Sequence, residues 1–231
     1  MLPIKDDQPR YSIPSVTWFL IGLNLVIFFF EASMPARSLN GLIHQFGVVP
    51  SHFAALLAGS PDYPLPAVVL PFFTSMFLHG SWMHVIGNMW FLFIFGDNVE
   101  DYMGHFKYLV FYILTGLLAM ATQVVINLHS RVPAVGASGA IAGVLGAYFV
   151  LYPRARVLTW FFVFVLWVPA WIILGYWFAL QFLSGTATVL STQGQDIGGV
   201  AFWAHIGGFI SGALLVKVFG ERRLRYPYAV G

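Results

Sequence analysis

Long apolar runs separated by short polar stretches organise this chain of 231 residues. A membrane-crossing helix needs about 20 mostly apolar residues. Residues 16–30 form the first such run. Residues 31–66 are polar and broken by proline and glycine, which predicts a long outer-surface loop with short amphipathic pieces. Apolar character resumes at Val68 and lasts to Phe95, interrupted by the polar cluster 79–84. That pattern predicts a second span from about Ser81 to just before Asp97. A third span is predicted over 106–126, a fourth over 138–152, and a sixth over 201–219. The fifth, 157–183, contains Pro169, which should kink it. Six helices put both termini on one side. The pattern predicts an all-α polytopic membrane protein, with a short tail at 1–14, a helical domain at 15–220 and a short basic tail at 221–231.

Composition supports a membrane protein. Charged residues make up 9% of the chain and hydrophobic ones 59%, and mean hydropathy is +0.80. A soluble domain carries about 25% charged residues. A β-barrel would need short alternating segments instead of these continuous runs. Charge then gives orientation. With the N-terminus cytoplasmic, Lys5, Arg10, Lys107, Arg154, Arg156, Lys217, Arg222, Arg223 and Arg225 face the cytoplasm. The outer loops hold only Arg37 and Arg131, a positive-inside pattern. This predicts cytoplasmic termini, in a bacterial inner membrane. The net charge of +2 implies no nucleic-acid partner.

The fourth span is short. Pro133 and Gly136-Ala137-Ser138-Gly139 precede it and Pro153 ends it, leaving about 15 residues, roughly 22 Å of helix. Non-helical backbone at the resulting depth is tolerated only inside protein or beside water. The helix should therefore be central, with a cavity above it.

Four polar side chains fall inside predicted spans: His84, Asn88, Ser138 and His205. Such residues are costly in lipid and usually functional, although a lone serine commonly packs or bonds a backbone carbonyl. His84 and Asn88, four apart, share a helix face. His205 shares a face with Gly208 and Gly212, and Ser138 borders the small face of Gly139 and Gly143. These small-xxx-small patterns let two helices approach closely, with Ser138 at the end of one and His205 on the other. A serine hydroxyl attacks well only when a base takes its proton, and histidine is the usual base. Between Tyr102 and Gly220 the only acidic residue is Asp196, so a Ser–His pair would work without a buried acid. His84 and Asn88 would suit an oxyanion site.

Competing chemistries fit less well. Cysteine is absent, there is no H-E-x-x-H, and His79 and His84 are badly spaced for one helix face. No metal and no cofactor are predicted. An aspartyl protease would need two intramembrane aspartates, and only Asp97 lies near a span. A channel would need a continuous polar path, yet the polar residues cluster in the outer half.

Taken together, these motifs resemble the rhomboid intramembrane serine proteases, in their compact six-helix bacterial form. Gly136-Ala137-Ser138-Gly139 resembles the nucleophile motif. Ala204-His205-Ile206-Gly207-Gly208, continuing to Gly212, resembles the general-base helix. His84-Val85-Ile86-Gly87-Asn88 is similar to the second-helix pattern, and Gly96-x-x-x-Glu100-x-x-x-Gly104 to the pattern at that helix's cytoplasmic end, where a structural role is expected. The resemblance implies a six-helix rhomboid-like bundle that hydrolyses peptide bonds in transmembrane segments of other membrane proteins. It implies Ser138 as nucleophile, His205 as base, and His84, Asn88 and the Ser138 N–H as oxyanion donors. It also implies a lateral gate near the second and fifth helices. Where some members stack a tyrosine on the base, this chain has Ala142, so another side chain must hold His205. The Trp-Arg pair of some members' first outer loop is absent, the stretch reading Leu70-Pro71-Phe72-Phe73. The alternative is a non-catalytic relative that binds transmembrane helices. Oligomeric state is not legible in the sequence.

Overall fold

The computed structural model describes residues 1–192 and 200–220; Asp196, Arg222, Arg223, Arg225 and the predicted tail 221–231 lie outside the described residues. The chain is mostly helical. In order it forms strand β1 (Leu2–Asp6), helices α1 (Ser15–Ala32), α2 (Ala36–Phe46), α3 (Pro50–Leu57) and α4 (Leu65–Thr74), and a 3₁₀ turn (Ser75–Phe77). Helices α5 (Trp82–Met103), α6 (His105–Ile126) and α7 (Ser138–Leu151) follow, then strands β2 (Arg156–Phe161) and β3 (Phe164–Pro169), and finally α8 (Ala170–Thr192) and α9 (Phe202–Leu215). Among the described residues, α1, α6 and α8 are long and apolar enough to cross a membrane. The pair α4–α5, bent by 75° at its break, adds a fourth crossing if counted as one span, and α7 and α9 are shorter apolar helices.

Several boundaries differ from the sequence pattern. The predicted fifth span starts too early, because 157–169 is a β-hairpin and the helix begins at Ala170. This stretch is rich in valine, phenylalanine and tryptophan, which suit a strand. Proline 169 is a strand terminus, not a kink. Residues 2–6 are not a free tail: β1 pairs antiparallel with β2, which pairs with β3. Helix α5 runs past Asp97 to Met103 and so carries Asp97, Glu100 and Asp101. The apolar run from Val68 belongs to α4, and the loop 31–66 contains α2 and α3.

Polar anchors hold the end of the molecule remote from Ser138. Helix α1 follows Pro14 and has no side-chain cap of its own. The fully buried Glu100 carboxylate of α5 supplies one, accepting the N–H groups of Val16 (3.0 Å) and Thr17 (2.8 Å) and the Thr17 hydroxyl (2.7 Å). A negative group there also suits the helix dipole. Gly96 lets α5 approach this cap, since a Cβ would lie 2.9 Å from the Tyr108 hydroxyl. Nearby, Asp101 accepts the Ser12 hydroxyl and the Tyr11 N–H.

Helix α7 packs against α5, α6, α8 and α9, and every residue over 139–148 is buried. Glycine makes the α7–α9 contact a backbone contact. A Cβ on Gly208 would stand 2.1 Å from the Gly139 carbonyl oxygen, and one on Gly212 would stand 1.9 Å from that of Gly143. The other face of α7 meets α6, where Gly143 leaves room for Thr115 and Gly139 for Ala119. Gly212→Val should therefore separate the two helices. Overpacking costs about 1–3 kcal/mol and more where backbone is struck. The variant should melt well below wild type in detergent, whereas Gly22→Ala, with no atom within 4 Å of the added carbon, should not.

Burial raises the Asp6 carboxyl of β1 from 3.8 to about 6. The hydroxyl of Tyr148 donates to it and opposes the rise but is outweighed, and neighbouring Asp7 adds to it. The fold thus holds this proton more tightly than the unfolded chain does. Through Asp6, stability is gained as pH falls through about 6 and lost as pH rises through it. Melting in detergent at pH 7 and pH 5 should show a wild-type gain on acidification that Asp6→Asn reduces.

Candidate functional site

Ser138 is the first residue of α7, and the chain reaches it by a sharp turn. Gly136 has φ +128, and a Cβ there would lie 2.6 Å from His84 Nε2, so only glycine fits. Its N–H donates to the Ser75 carbonyl at 2.8 Å, tying the turn to the 3₁₀ segment. Buried Ala137 precedes the serine, and its carbonyl accepts the Ile141 N–H as α7 begins. The N–H groups of the first turn, Ser138 included, are left without helical partners and form the positive end of the helix dipole.

His205 comes from the first turn of α9 and is 8% exposed. The Gln123 carboxamide oxygen caps that helix, accepting the Ala204 N–H at 3.2 Å. His205 Nε2 lies 2.7 Å from Ser138 Oγ, and its Nδ1 lies 2.8 Å from Gln181 Oε1 of α8. An amide oxygen only accepts, so Nδ1 carries the proton. Nε2 is then the free base, aimed at the serine hydroxyl. The Trp177 ring, also from α8, lies 5.8 Å from the imidazole at 35°. Gln181 and Trp177 are the groups that hold His205 where Ala142 leaves space. Gln181 was detectable as a polar side chain inside an apolar run; Trp177 was one aromatic among many.

His84 and Asn88 line the same cavity as Ser138 and His205, a space of about 570 Å³. Its lining includes no Asp, Glu, Lys or Arg among the described residues. Asn88 is 7% exposed, and its Nδ2 lies 3.0 Å from His79 Nε2. The His79 and His84 rings meet edge to face at 5.1 Å. Behind them, the buried Glu31 carboxylate accepts the His79 backbone N–H. The sequence pattern did not single out His79 or Glu31 for this place. Asn88 Nδ2 has two hydrogens; one serves His79 and the second is free for a group in the cavity. The five glycines, Gly136, Gly139, Gly143, Gly208 and Gly212, act by allowing close approach and contribute no reactive atoms.

Residues 66–222 match the Rhomboid domain, and the chain belongs to the rhomboid family. It is 31% identical over 225 residues to the Rhomboid-like protein 11, chloroplastic, of Arabidopsis thaliana, covering 94% of this chain and 70% of the plant protein. It is 30% identical to the Rhomboid protein 1, mitochondrial, of Saccharomyces cerevisiae, over 68% of this chain and 45% of that one. The Presenilin-associated rhomboid-like protein, mitochondrial, of Rattus norvegicus is 25% identical over 75% of this chain and 44% of its own length. The chain thus spans under half of the last two relatives. These relatives are named for chloroplasts and mitochondria, and they lend no support to the bacterial inner membrane expected from the sequence.

If Gln181 fixes the tautomer of His205, an acceptor oxygen at this place should matter more than shape. Gln181→Leu should slow phosphonylation of Ser138 by a fluorophosphonate, in which the Oγ–P bond forms as fluoride leaves, about 10-fold or more, less than the ~10⁴ lost when the acid of a full triad is made an amide. Gln181→Glu, which keeps the oxygen, should retain more of the rate. Equal loss in both variants, tracking a fall in melting temperature, would mean packing alone.

Proposed function

We propose that this rhomboid-family membrane protein is an intramembrane serine endopeptidase that cuts transmembrane segments of other membrane proteins near the outer boundary. The observation that carries the reading is the 2.7 Å contact from Ser138 Oγ to His205 Nε2 in a cavity that also holds His84 and Asn88. In this reading α1, α5, α6, α7, α8 and α9 are six crossings, and α7 is a short central fourth, about 21 Å long at 1.5 Å per residue. The basic residues mark the cytoplasmic side.

The chemistry follows from the geometry. The Ser138 hydroxyl attacks a substrate carbonyl carbon and its proton passes to His205 Nε2. Negative charge grows on the carbonyl oxygen. The Ser138 N–H, the second Asn88 N–H and the His84 ring are the donors for it. The C–N bond then breaks, His205 gives its proton to the leaving amine, and an acyl ester on Ser138 remains. Water, deprotonated by His205, hydrolyses the ester and regenerates the serine. No buried carboxylate takes part; Gln181 holds the imidazole in its working tautomer. A substrate helix must unwind first, because its carbonyls are engaged in hydrogen bonds. This favours substrates with small, helix-weakening residues near the cut. Lipid and transmembrane substrates are the partners the reading requires; it needs no cofactor and no metal.

Ser138→Ala should abolish cleavage of a transmembrane substrate in vesicles while leaving melting unchanged, since small residues already line that face. Cleavage by purified Ser138→Ala would overturn the nucleophile assignment. Substrate binding without cleavage by the wild type would favour a non-catalytic helix-binding protein instead. Asn88→Ala should lower turnover on the order of 10²-fold or less with substrate binding little changed, because the donor acts on charge that develops in the transition state. A large melting shift with full turnover at low temperature would make Asn88, through its bond to His79, a structural residue.

A further inference from the structure

The β2–β3 hairpin carries eight consecutive apolar residues at 160–167, each exposed, from 39% at Phe161 to 83% at Val163. A contiguous apolar patch of this kind marks a contact with membrane or protein. Its turn is as unusual as its surface. Phe161 pairs with Phe164, so Phe162 and Val163 form a two-residue loop, and Phe162 adopts φ 54. Two-residue hairpin turns in water use Asn-Gly or Asp-Gly, because bulky residues resist positive φ. Here the tip keeps a phenylalanine and a valine at the cost of backbone strain.

The hairpin also points in a definite direction. Along α5, the Asp101 carboxylate meets Tyr11, Asn98 meets the Pro9 carbonyl, and the Trp90 indole N–H donates to the Pro3 carbonyl at 2.6 Å. Trp90 is eight residues before Asn98, about 12 Å along the helix. The segment from Tyr11 back to Leu2 therefore climbs α5 away from its acidic end. In β2, Val157 stands opposite Asp6 and Trp160 opposite Leu2. Continuing beyond Trp160, the tip at 161–164 lies further still in that direction. Strand β3 then leads straight into α8, whose Trp171 is 53% exposed.

Charge at the base complements the tip. Arg154 and Arg156 are exposed there, and Lys5 Nζ lies 5.9 Å over the Trp167 ring. Tryptophan and basic side chains are the residues that settle at the headgroup layer of a membrane. The outer edge of β3 is unpaired among the described residues. We infer that this hairpin inserts into the leaflet on the basic side of the membrane, with residues 161–164 among the acyl chains and Arg154, Arg156 and Lys5 at the lipid phosphates. The inference rests on the membrane-embedded reading of the chain but not on its catalytic one.

The chain contains no cysteine, so a single Val163→Cys substitution can carry an environment-sensitive nitrobenzoxadiazole label. The position is 83% exposed, and the change removes no packing. The probe is a nanodisc of phosphatidylcholine and phosphatidylglycerol holding one protein, with and without lipids bearing a nitroxide at a shallow chain position. Val26→Cys on α1, 68% exposed, is the lipid-facing control, and Asp62→Cys, exposed in the α3–α4 loop, the aqueous one. The Val163 label should emit to the blue of the Asp62 label and be quenched by the nitroxide lipid at least half as strongly as the Val26 label. Water-like emission without quenching at Val163, with Val26 quenched, would overturn the inference and leave the membrane reading standing. A blue shift present only in crowded vesicles, with no quenching in single-copy nanodiscs, would overturn it in favour of pairing between two copies through β3. No quenching at Val26 would remove the membrane reading and this inference with it.

Discussion

The backbone-to-backbone approach of α7 and α9 is the constraint on which the rest of this structure depends. Ser138 sits at the start of one helix and His205 near the start of the other, so their spacing is the spacing of the two helix axes. Gly139 and Gly143 present carbonyl oxygens where Gly208 and Gly212 have no side chain to interpose. Without a hydrophobic drive between helices in lipid, such contacts rely on close van der Waals packing. A methyl group at either α9 glycine would collide with a carbonyl about 2 Å away. The short Oγ–Nε2 distance is thus a property of the seam as much as of the two side chains.

Around that seam the polar groups are arranged in two separate sets. Near Ser138, the side-chain partners of His205 and Asn88 are a glutamine, a tryptophan and a second histidine, with one carboxylate, Glu31, behind them on the His79 N–H. At the far end, carboxylates dominate, with Glu100 capping α1 and Asp101 and Asp6 tying the N-terminal segment to α5 and α7. Keeping net charge out of the cavity avoids burying an ion without a counter-ion. Of the far-end carboxylates, Glu100 accepts the backbone N–H groups that the start of α1 leaves unsatisfied.

What could be read from the sequence follows from how distinctive each signal is in lipid. Ser138, His84, Asn88 and His205 stood out because a polar side chain in an apolar run is costly, and the structure brings all four to one cavity. Gln181 carried the same signal but was passed over inside a long aromatic stretch. His79 fell in a polar cluster between runs, where no depth could be assigned to it. The hairpin was lost because hydropathy does not distinguish a strand from a helix. The segment 157–183 was longer than a span needs, and its β-branched and aromatic half lay between Pro153 and Pro169, which was the available clue. Glu31 and Asp97 depart from the sequence pattern for the opposite reason: a charge marks the expected helix end, whereas α1 and α5 run on through theirs.

The pairing of β1 with β2 bears on how the chain is made. Asp6 and Tyr148, joined by a hydrogen bond, stand 142 positions apart, and Leu2 is aligned with Trp160. The residues of β1 therefore wait for about 150 later residues before their strand has a partner. The N-terminus of α1 waits likewise for Glu100. Contacts of such sequence separation close late and slowly. The end of the molecule that carries the strands is then sealed only after α1, α5, α6 and α7 have been made.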